Sequence, residues 1–479
     1  MKVSDVVQAL GGRDIPVLAS TIAGLRALMR TEDRITPRDV SRVVLRDPML
    51  TLKTLRFAEQ RRTERQSADI TTVEHAILMH GITNYLKSFS NLTSLESLLA
   101  KDPLALDGAL RVVSRAQHAA AFARAIARQR HDIESDEVII GALLHDLAEL
   151  MLWFHMPRQE AEVRFLVDHA TGLRSASAQR AVLGFTHVEL QLALARAWRL
   201  PELLCRLMDD DHAEHPRVVN VMTATALARH LNHGWDDPAL PDDYARVQKV
   251  LGTSPDGALR LVRNASLQAA RLWIDTGIRP VAAWLPLESG RIVPETPAFR
   301  RPGGVDLEFF KHALARLEDQ EHGMDSDAAT VWALYGLQFG LGLHRVMYAN
   351  VVPNLNILRP RFVLADDPAA AAWMKLQIPL TGRDFFPRLM ARTQGLWAGG
   401  ANREKLAALL LPEQRTVLGG GDFLVMSLFN GGDAQGAVLA DRGSGADGIS
   451  DALYAPFKAM CVALGHRLSL NANAHHAAS

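Results

Sequence analysis

The stretch Ile139–Leu152 (IIGALLHDLAELML) most constrains this chain, because it is almost wholly apolar and yet carries three ionisable residues. His145 and Asp146 are adjacent, and Glu149 follows about one helical turn later. A run this apolar is typical of a helix that other elements cover on most sides. Polar groups buried there need hydrogen bonds, a partner charge or a metal, because burying them unpaired costs several kcal/mol.

The composition is that of an ordinary globular chain of 479 residues, with 48% hydrophobic and 22% charged residues, enough for more than one domain. Basic and acidic residues are equal at 53 each. This balance argues against a nucleic-acid or membrane binder, although a local basic patch is not excluded. Two distant cysteines, Cys205 and Cys461, argue against a disulfide framework. With neither an export signal nor an apolar span of about 20 residues, we predict a cytoplasmic protein.

Helical spacing from the N-terminus to about residue 280 predicts one all-helical domain, 1–280. Thr36-Pro37 and Asp47-Pro48 are strong helix starts within it, and no alternating strand pattern occurs. Residues 281–304 are rich in proline and glycine, which predicts a linker, with its lead-in, over 281–324.

The pattern beyond the linker predicts an α+β domain over 325–470, followed by a disordered tail at 471–479. Gly431-Gly432-Asp433 is a strong hairpin turn between its last two strands. The predicted strands are Arg345–Val352, Arg361–Leu364, Met374–Ile378, Phe423–Asn430 and Gln435–Asp441. The predicted helices are Asp327–Leu341, Phe385–Leu396, Glu404–Leu410 and Ala452–Leu468.

His118 is a plausible companion of the His145-Asp146 pair, because the spacing suits two antiparallel helices that meet at their middles. Two imidazoles and a carboxylate are suitable ligands for a divalent transition metal. His187 and His212 are further candidates, and such a site could activate water against a phosphoester. The alternative is that these side chains only hydrogen-bond one another in a core, so the metal stays a hypothesis.

Several segments together carry a likeness to a known family. They are Ile15–Leu18, Val40–Arg56 (with Asp47-Pro48), Ile70–Leu86, Leu143–Leu147 (LLHDL), and His187 with Trp198, Leu200 and Pro201. On these segments, residues 14–235 resemble the HDOD domain, a degenerate relative of the HD and HD-GYP phosphohydrolases. The resemblance implies an all-helical HD-like fold and, at His118, His145 and Asp146, a vestigial site for Fe or Mn.

The chain departs from the catalytic relatives of that family. Glu149 stands where they have a lysine, which reverses the charge offered to a phosphate. Asp211 replaces the first of two histidines, and no Gly-Tyr-Pro triplet follows His212. The later metal-binding aspartate falls near Thr225. We therefore predict no catalytic residues and a regulatory scaffold; the alternative is a metal-dependent phosphohydrolase or phosphodiesterase.

The block 325–470 resembles a GAF-type sensory domain in the order of its elements and its closing helix, although no GAF motif is present. The predicted protein is thus multi-domain, with an N-terminal all-α HD-like domain and a GAF-like α+β domain on an antiparallel sheet. The resemblance implies bacterial signal transduction. Expected partners are signalling proteins, a small molecule in the GAF-like domain or a second copy of the chain, with neither nucleic acid nor membrane.

Overall fold

The computed structural model describes residues 2–11, 14–30, 35–61, 69–132, 135–171, 174–209, 212–235, 237–273, 305–319, 324–365, 370–418, 421–443 and 448–478. The chain divides into two compact units, which are Met1–Glu160 with His187–Ala298, and Ala161–Thr186 with Phe299–Ser479. The segment 161–186, which the sequence predicts as part of the helical domain, therefore groups with the C-terminal unit. The predicted linker 281–304 lies outside the described residues.

Helices dominate the chain up to residue 273. In chain order the elements are α1 (Val3–Gly11), α2 (Ala19–Met29), α3 (Pro37–Val44), α4 (Pro48–Gln60), α5 (Val73–His80), α6 (Ile82–Ser88), α7 (Leu95–Leu98), α8 (Pro103–Gln129), α9 (Ser135–Leu144), α10 (Leu147–His155), α11 (Pro157–His169), β1 (Ala170–Thr171), α12 (Ser175–Leu183), α13 (His187–Ala197), α14 (Glu202–Leu207), α15 (Pro216–Leu231), α16 (Leu240–Leu251) and α17 (Pro255–Ala270). Both predicted helix starts are confirmed, with Thr36 as the N-cap of α3 and Asp47 as that of α4.

The 27-residue helix α8 is the centre of the first unit, and α9, α10, α15 and α17 pack against it. Nine of its 27 residues are alanine, whose small side chain lets these helices approach closely. Gly108 shows how close, because a Cβ there would overlap the ring of Trp153 on α10. The ring is almost fully buried. Large and small side chains thus interlock α8 with α10, as dense interior packing requires.

The apolar run at 139–152 is two helices and not the single helix that its composition predicts. α9 ends at Leu144 and α10 begins at Leu147, so His145 and Asp146 form the turn between them. Among the described residues, Ser135–His155 is the one stretch with the length and composition of a membrane span, and it is mostly buried inside the protein. Burial of this kind is typical of a core helix.

The second unit continues with elements on both sides of a sheet. In chain order they are α18 (Leu307–Glu318), α19 (Ser326–Tyr335), β2 (Arg345–Val352), β3 (Ile357–Ala365), α20 (Ala370–Met374), β4 (Ile378–Pro379), α21 (Phe385–Leu389), β5 (Gly395–Ala398), α22 (Arg403–Ala407), α23 (Pro412–Leu418), β6 (Phe423–Asn430), β7 (Asp433–Asp441) and α24 (Tyr454–Ala478). The strand order is β1-β3-β2-β7-β6-β5, β4 also pairs with β3, and all pairings are antiparallel.

Both faces of this sheet are buried. One face packs on the connecting helices through a cluster that includes Val363, Trp373, Phe385 and Val425. The long helix α24 packs against β6. Within the sheet, the Arg345 guanidinium pairs with Asp441 on the adjacent strand and lies over the Trp373 ring. A charge is tolerated there because the carboxylate neutralises it.

The structure differs from the predicted elements of this unit at several points, and a helix, α18, lies within the predicted lead-in 281–324. The predicted strand at 374–378 is mostly the end of α20, and only Ile378–Pro379 pairs with β3. The predicted helix 385–396 ends at Leu389, since its last part pairs with β6 as β5. The predicted tail 471–479 is helical as far as Ala478. At the start of this segment, the Asn471 amide donates to the Met324 carbonyl.

We expect Asp47→Ala to lower the free energy of unfolding by about 2–4 kcal/mol. The fully buried Asp47 carboxylate accepts backbone N–H groups from Leu18, Met49 and Leu50 at 2.7, 2.9 and 3.1 Å. All three donors would lose that acceptor. Chemical denaturation measures the change. Asp102→Ala is the matched control, because within the described residues this N-cap accepts only from the Ala105 N–H, and its loss should cost about 1 kcal/mol. Equal losses of unfolding free energy in the two variants would contradict the idea that Asp47 stabilises the fold by joining Leu18 to the start of α4.

Candidate functional site

The turn between α9 and α10 sets the geometry of the candidate site. A helix break inside a core leaves a carbonyl and an N–H without helical partners. Gln191 on α13 is the hydrogen-bond partner of both groups. Its side-chain amide donates to the Leu144 carbonyl and accepts from the Ala148 N–H, each at 2.8 Å. Gln191 is itself buried. The turn is therefore a supported feature, and it holds His145 and Asp146 where α8 passes.

Arg115 on α8 is the group that meets this turn. Its Nε donates to Asp146 Oδ2 at 2.6 Å, and its Nη2 donates to Glu149 Oε2. The three side chains are only 10%, 14% and 19% exposed. Burial alone would lower the pKa of Arg115, but the attraction of the two carboxylates outweighs it and raises that pKa. The centre of the site thus holds a permanent cation between two anions.

Asp146 has both of its carboxylate oxygens engaged. Oδ2 accepts from Arg115, while Oδ1 accepts from His145 Nδ1 at 3.1 Å and lies 4.0 Å from Nη2 of Arg229 on α15. Burial opposes ionisation of Asp146, but Arg115, His145 and Arg229 together hold its pKa well below the usual range. The carboxylate is therefore ionised and fully partnered within the protein.

His118 lies one turn after Arg115 on α8 and is fully buried. Its Nδ1 donates to the Ser114 carbonyl at 2.7 Å, which leaves Nε2 with a lone pair. Within the described residues, that Nε2 has no hydrogen-bond partner. Burial lowers the pKa of His118 to about 4, so the ring is neutral. A neutral imidazole oriented by a carbonyl is what a metal ligand requires.

A second group of metal-type donors lies beside the turn. Glu160, at the start of α11, pairs through Oε2 with His187 Nε2 at 3.0 Å. The donor atoms of Glu149, Glu160 and His187 all lie within 4.8 Å of one another. Burial would lower the pKa of His187, but Glu160, Glu149 and Asp146 outweigh it and raise that pKa. This favours an imidazolium on His187, which neutralises the buried Glu160.

The predicted metal trio fits a cation only in part. His118 offers a suitable lone pair, but Asp146 is bound by Arg115, and a divalent ion would lie beside that fixed charge. His212 is 46% exposed and contacts Asp209 and Glu214, and within the described residues no contact joins it to the turn. Asp211 lies outside the described residues. A metal ion held by His118, His145 and Asp146 stays a prediction.

Sequence reasoning missed three members of this site. Arg115 precedes His118 by three positions, which places both on one face of a helix, and that spacing was a usable signal. Asp146 followed by Glu149 has the Asp-x-x-Glu spacing of a helix N-terminus, which could have revealed the break. Glu160 and Gln191 gave no local signal, because they reach the turn from helices distant in sequence.

Comparisons with known proteins give a family match for part of the chain. The HDOD domain family model matches residues 15–214. This chain contains an HDOD domain. Its family is related to the HD phosphohydrolases. The search among curated proteins finds no significant match.

The comparison with solved structures gives matches that cover about half of this chain. The MmoQ response regulator from Methylococcus capsulatus is 19% identical with a TM-score of 0.43, covering 53% of this chain and 99% of that one. A virulence factor from Campylobacter jejuni is 18% identical with a TM-score of 0.42, covering 56% and 97%. An HDOD domain protein of unknown function from Geobacter sulfurreducens is 17% identical with a TM-score of 0.32, covering 57% and 98%.

We expect Arg115→Met to destabilise the HDOD domain by about 3–5 kcal/mol, because it leaves two buried carboxylates without their cation. Denaturant titration of the full chain measures the loss. Arg111→Met, one turn earlier on α8, is the matched control. Arg111 pairs with Asp107 at 2.8 Å in a more exposed position, so its loss should cost about 0.5 kcal/mol. A small loss of unfolding free energy in Arg115→Met would show that the ion pairs of Arg115 with Asp146 and Glu149 contribute little to stability.

Proposed function

We propose that this chain is a non-catalytic signalling protein of the cytoplasm, in which the HDOD domain is a docking or relay module. The second unit, which we propose is GAF-like, would bind a small molecule or pair with a second copy of the chain. Signalling proteins are the proposed partners. Transmission between the units requires that a ligand or partner bind two arrangements of the chain with different affinities.

The observation that carries the proposal is the bridge from Arg115 to Asp146 and Glu149. A metallohydrolase uses its carboxylates to hold ions that activate water. Here the Arg115 side chain pairs with the Asp146 carboxylate, a candidate metal ligand, and with Glu149 as well. The charges also balance without any ion, since Arg115, Arg229 and protonated His187 face Asp146, Glu149 and Glu160.

Loss of phosphate handling also supports the non-catalytic reading. A phosphate that approached the turn would meet Glu149, whose charge is negative, where the catalytic relatives offer a lysine. Arg229, whose side chain is 53% exposed, already lies near Asp146. Without positive groups aimed at the developing charge, a site cannot stabilise the transition state of phosphoester hydrolysis.

The GAF-like assignment of the second unit rests on its element order. A helix precedes an antiparallel sheet, a hairpin of β6 and β7 follows, and the long α24 closes the chain and packs on the sheet. Val462 and Leu470 are exposed on α24 and lie eight residues apart, which places them on one face. That face supports pairing with a second copy, while the sheet unit is also where a small ligand would bind.

A second candidate function is a metal-dependent phosphohydrolase of the HD superfamily. Two observations favour it. The buried His118 Nε2 has a lone pair that a metal could use. Glu149, Glu160 and His187 bring a nitrogen and two carboxylates close together. Fe or Mn would suit such mixed ligands.

We expect the purified full-length protein to carry only substoichiometric Fe and Mn and to hydrolyse bis(p-nitrophenyl) phosphate no faster than buffer does. We also expect Arg115→Ala to gain an affinity for Mn²⁺, because it frees the Glu149 carboxylate beside Glu160 and His187. The measurements are elemental analysis, a colorimetric assay and thermal unfolding with and without Mn²⁺. Saturating the new site about 100-fold above its Kd should stabilise the variant by about 2.7 kcal/mol.

Arg111→Ala is the matched control, since it removes an arginine from the same helix without touching the turn. Its unfolding and that of the wild type should not respond to Mn²⁺. Stoichiometric metal in the wild type, lost in His145→Ala together with phosphodiesterase activity, would overturn the regulatory proposal in favour of the hydrolase.

A further inference from the structure

A cleft of about 420 Å³ lies between α8 and α17 in the helical unit, on residues other than those of the turn. Arg124 and Arg128 of α8 line one wall, and Arg260 of α17 lines the other. Asn264 and Gln268 continue the second wall. The volume is within the range of small-molecule sites, roughly 300–1,000 Å³.

The spacing of these residues places their side chains along the cleft in two rows. Arg124 and Arg128 are four residues apart on α8, so they share one face of that helix. Arg260, Asn264 and Gln268 repeat the same interval on α17. Each wall therefore presents N–H donors at regular steps, and donors of this kind seek acceptor oxygens.

The cleft has a strong local charge in a chain whose overall charge is zero. Its lining contains three arginines and no carboxylate. Among the described residues, none of the three forms an ion pair within 4.0 Å. Burial and the neighbouring Arg128 lower the pKa of Arg124, and only Asp136 acts against them. A concave surface of one sign concentrates ions of the other.

We propose that this cleft binds a small molecule that carries phosphate groups. Guanidinium groups fit phosphate oxygens in a two-bond fork, and three of them offer more donors than one carboxylate could accept. The cleft is also larger than a single phosphate needs. Ala121, Ala125 and Ala265 give it an apolar floor on which an organic part of the ligand would lie. This site is independent of the turn and of the proposed signalling role.

Calorimetric titration of the full-length protein with pyrophosphate and with ADP tests the proposal. We expect both probes to bind, and Arg124→Gln and Arg260→Gln each to weaken binding at least about tenfold, as expected for a lost charge-assisted fork. Tighter binding of ADP than of pyrophosphate would indicate that the nucleoside contacts the alanine floor. Equal affinity for the two probes would indicate that the cleft recognises only the phosphate groups.

Arg263→Gln is the matched control, because Arg263 is exposed on the same helix but does not line the cleft. It should bind both probes like the wild type. Arg115→Ala should also bind them, which separates this site from the turn. Arg260 is exposed, so its variant should fold even if Arg124→Gln does not. The proposal is overturned if neither probe binds the wild type, or if Arg263→Gln loses as much affinity as Arg260→Gln.

Discussion

The bridge from Arg115 to Asp146 and Glu149 is the interaction on which the centre of the helical unit depends. Arg115 lies on the long α8, Asp146 in the turn and Glu149 in the first turn of α10, so one side chain joins three parts of the backbone. Taking three charges out of water is costly, and only a close, two-armed geometry offsets that cost. Lysine could not replace arginine here, because it lacks the fork that reaches both carboxylates.

An arginine in this position differs physically from a metal ion. A bound ion exchanges with solution, so the charge of its site depends on supply and on the protonation of its ligands. A guanidinium is covalently attached and stays protonated throughout the ordinary pH range. A turn neutralised in this way keeps one shape in every molecule of the protein.

Much of the fold was predictable because its signals are local. β2 and β6 have the predicted bounds, since each is an apolar run that both faces of a sheet can bury. Asp47-Pro48 starts a helix because the carboxylate caps backbone N–H groups and proline needs no hydrogen-bond donor in the first turn. The sequence also identified a buried polar pair in need of a partner, which is correct for His145 and Asp146.

The partner itself was not predictable from composition, because it is a matter of tertiary geometry. An apolar run with two polar residues reads as one helix, yet the chain breaks there and Gln191, from a helix about 45 residues away, bonds both broken ends. Once the helix is broken, Asp146 no longer follows the helical phase of the run, and its carboxylate turns to α8. Arg115 is the cation that this carboxylate meets, so the ion pair depends on the break in the helix. Gln191 bonds the broken ends and Arg115 binds the carboxylate that the break exposes to α8, so the two residues act together.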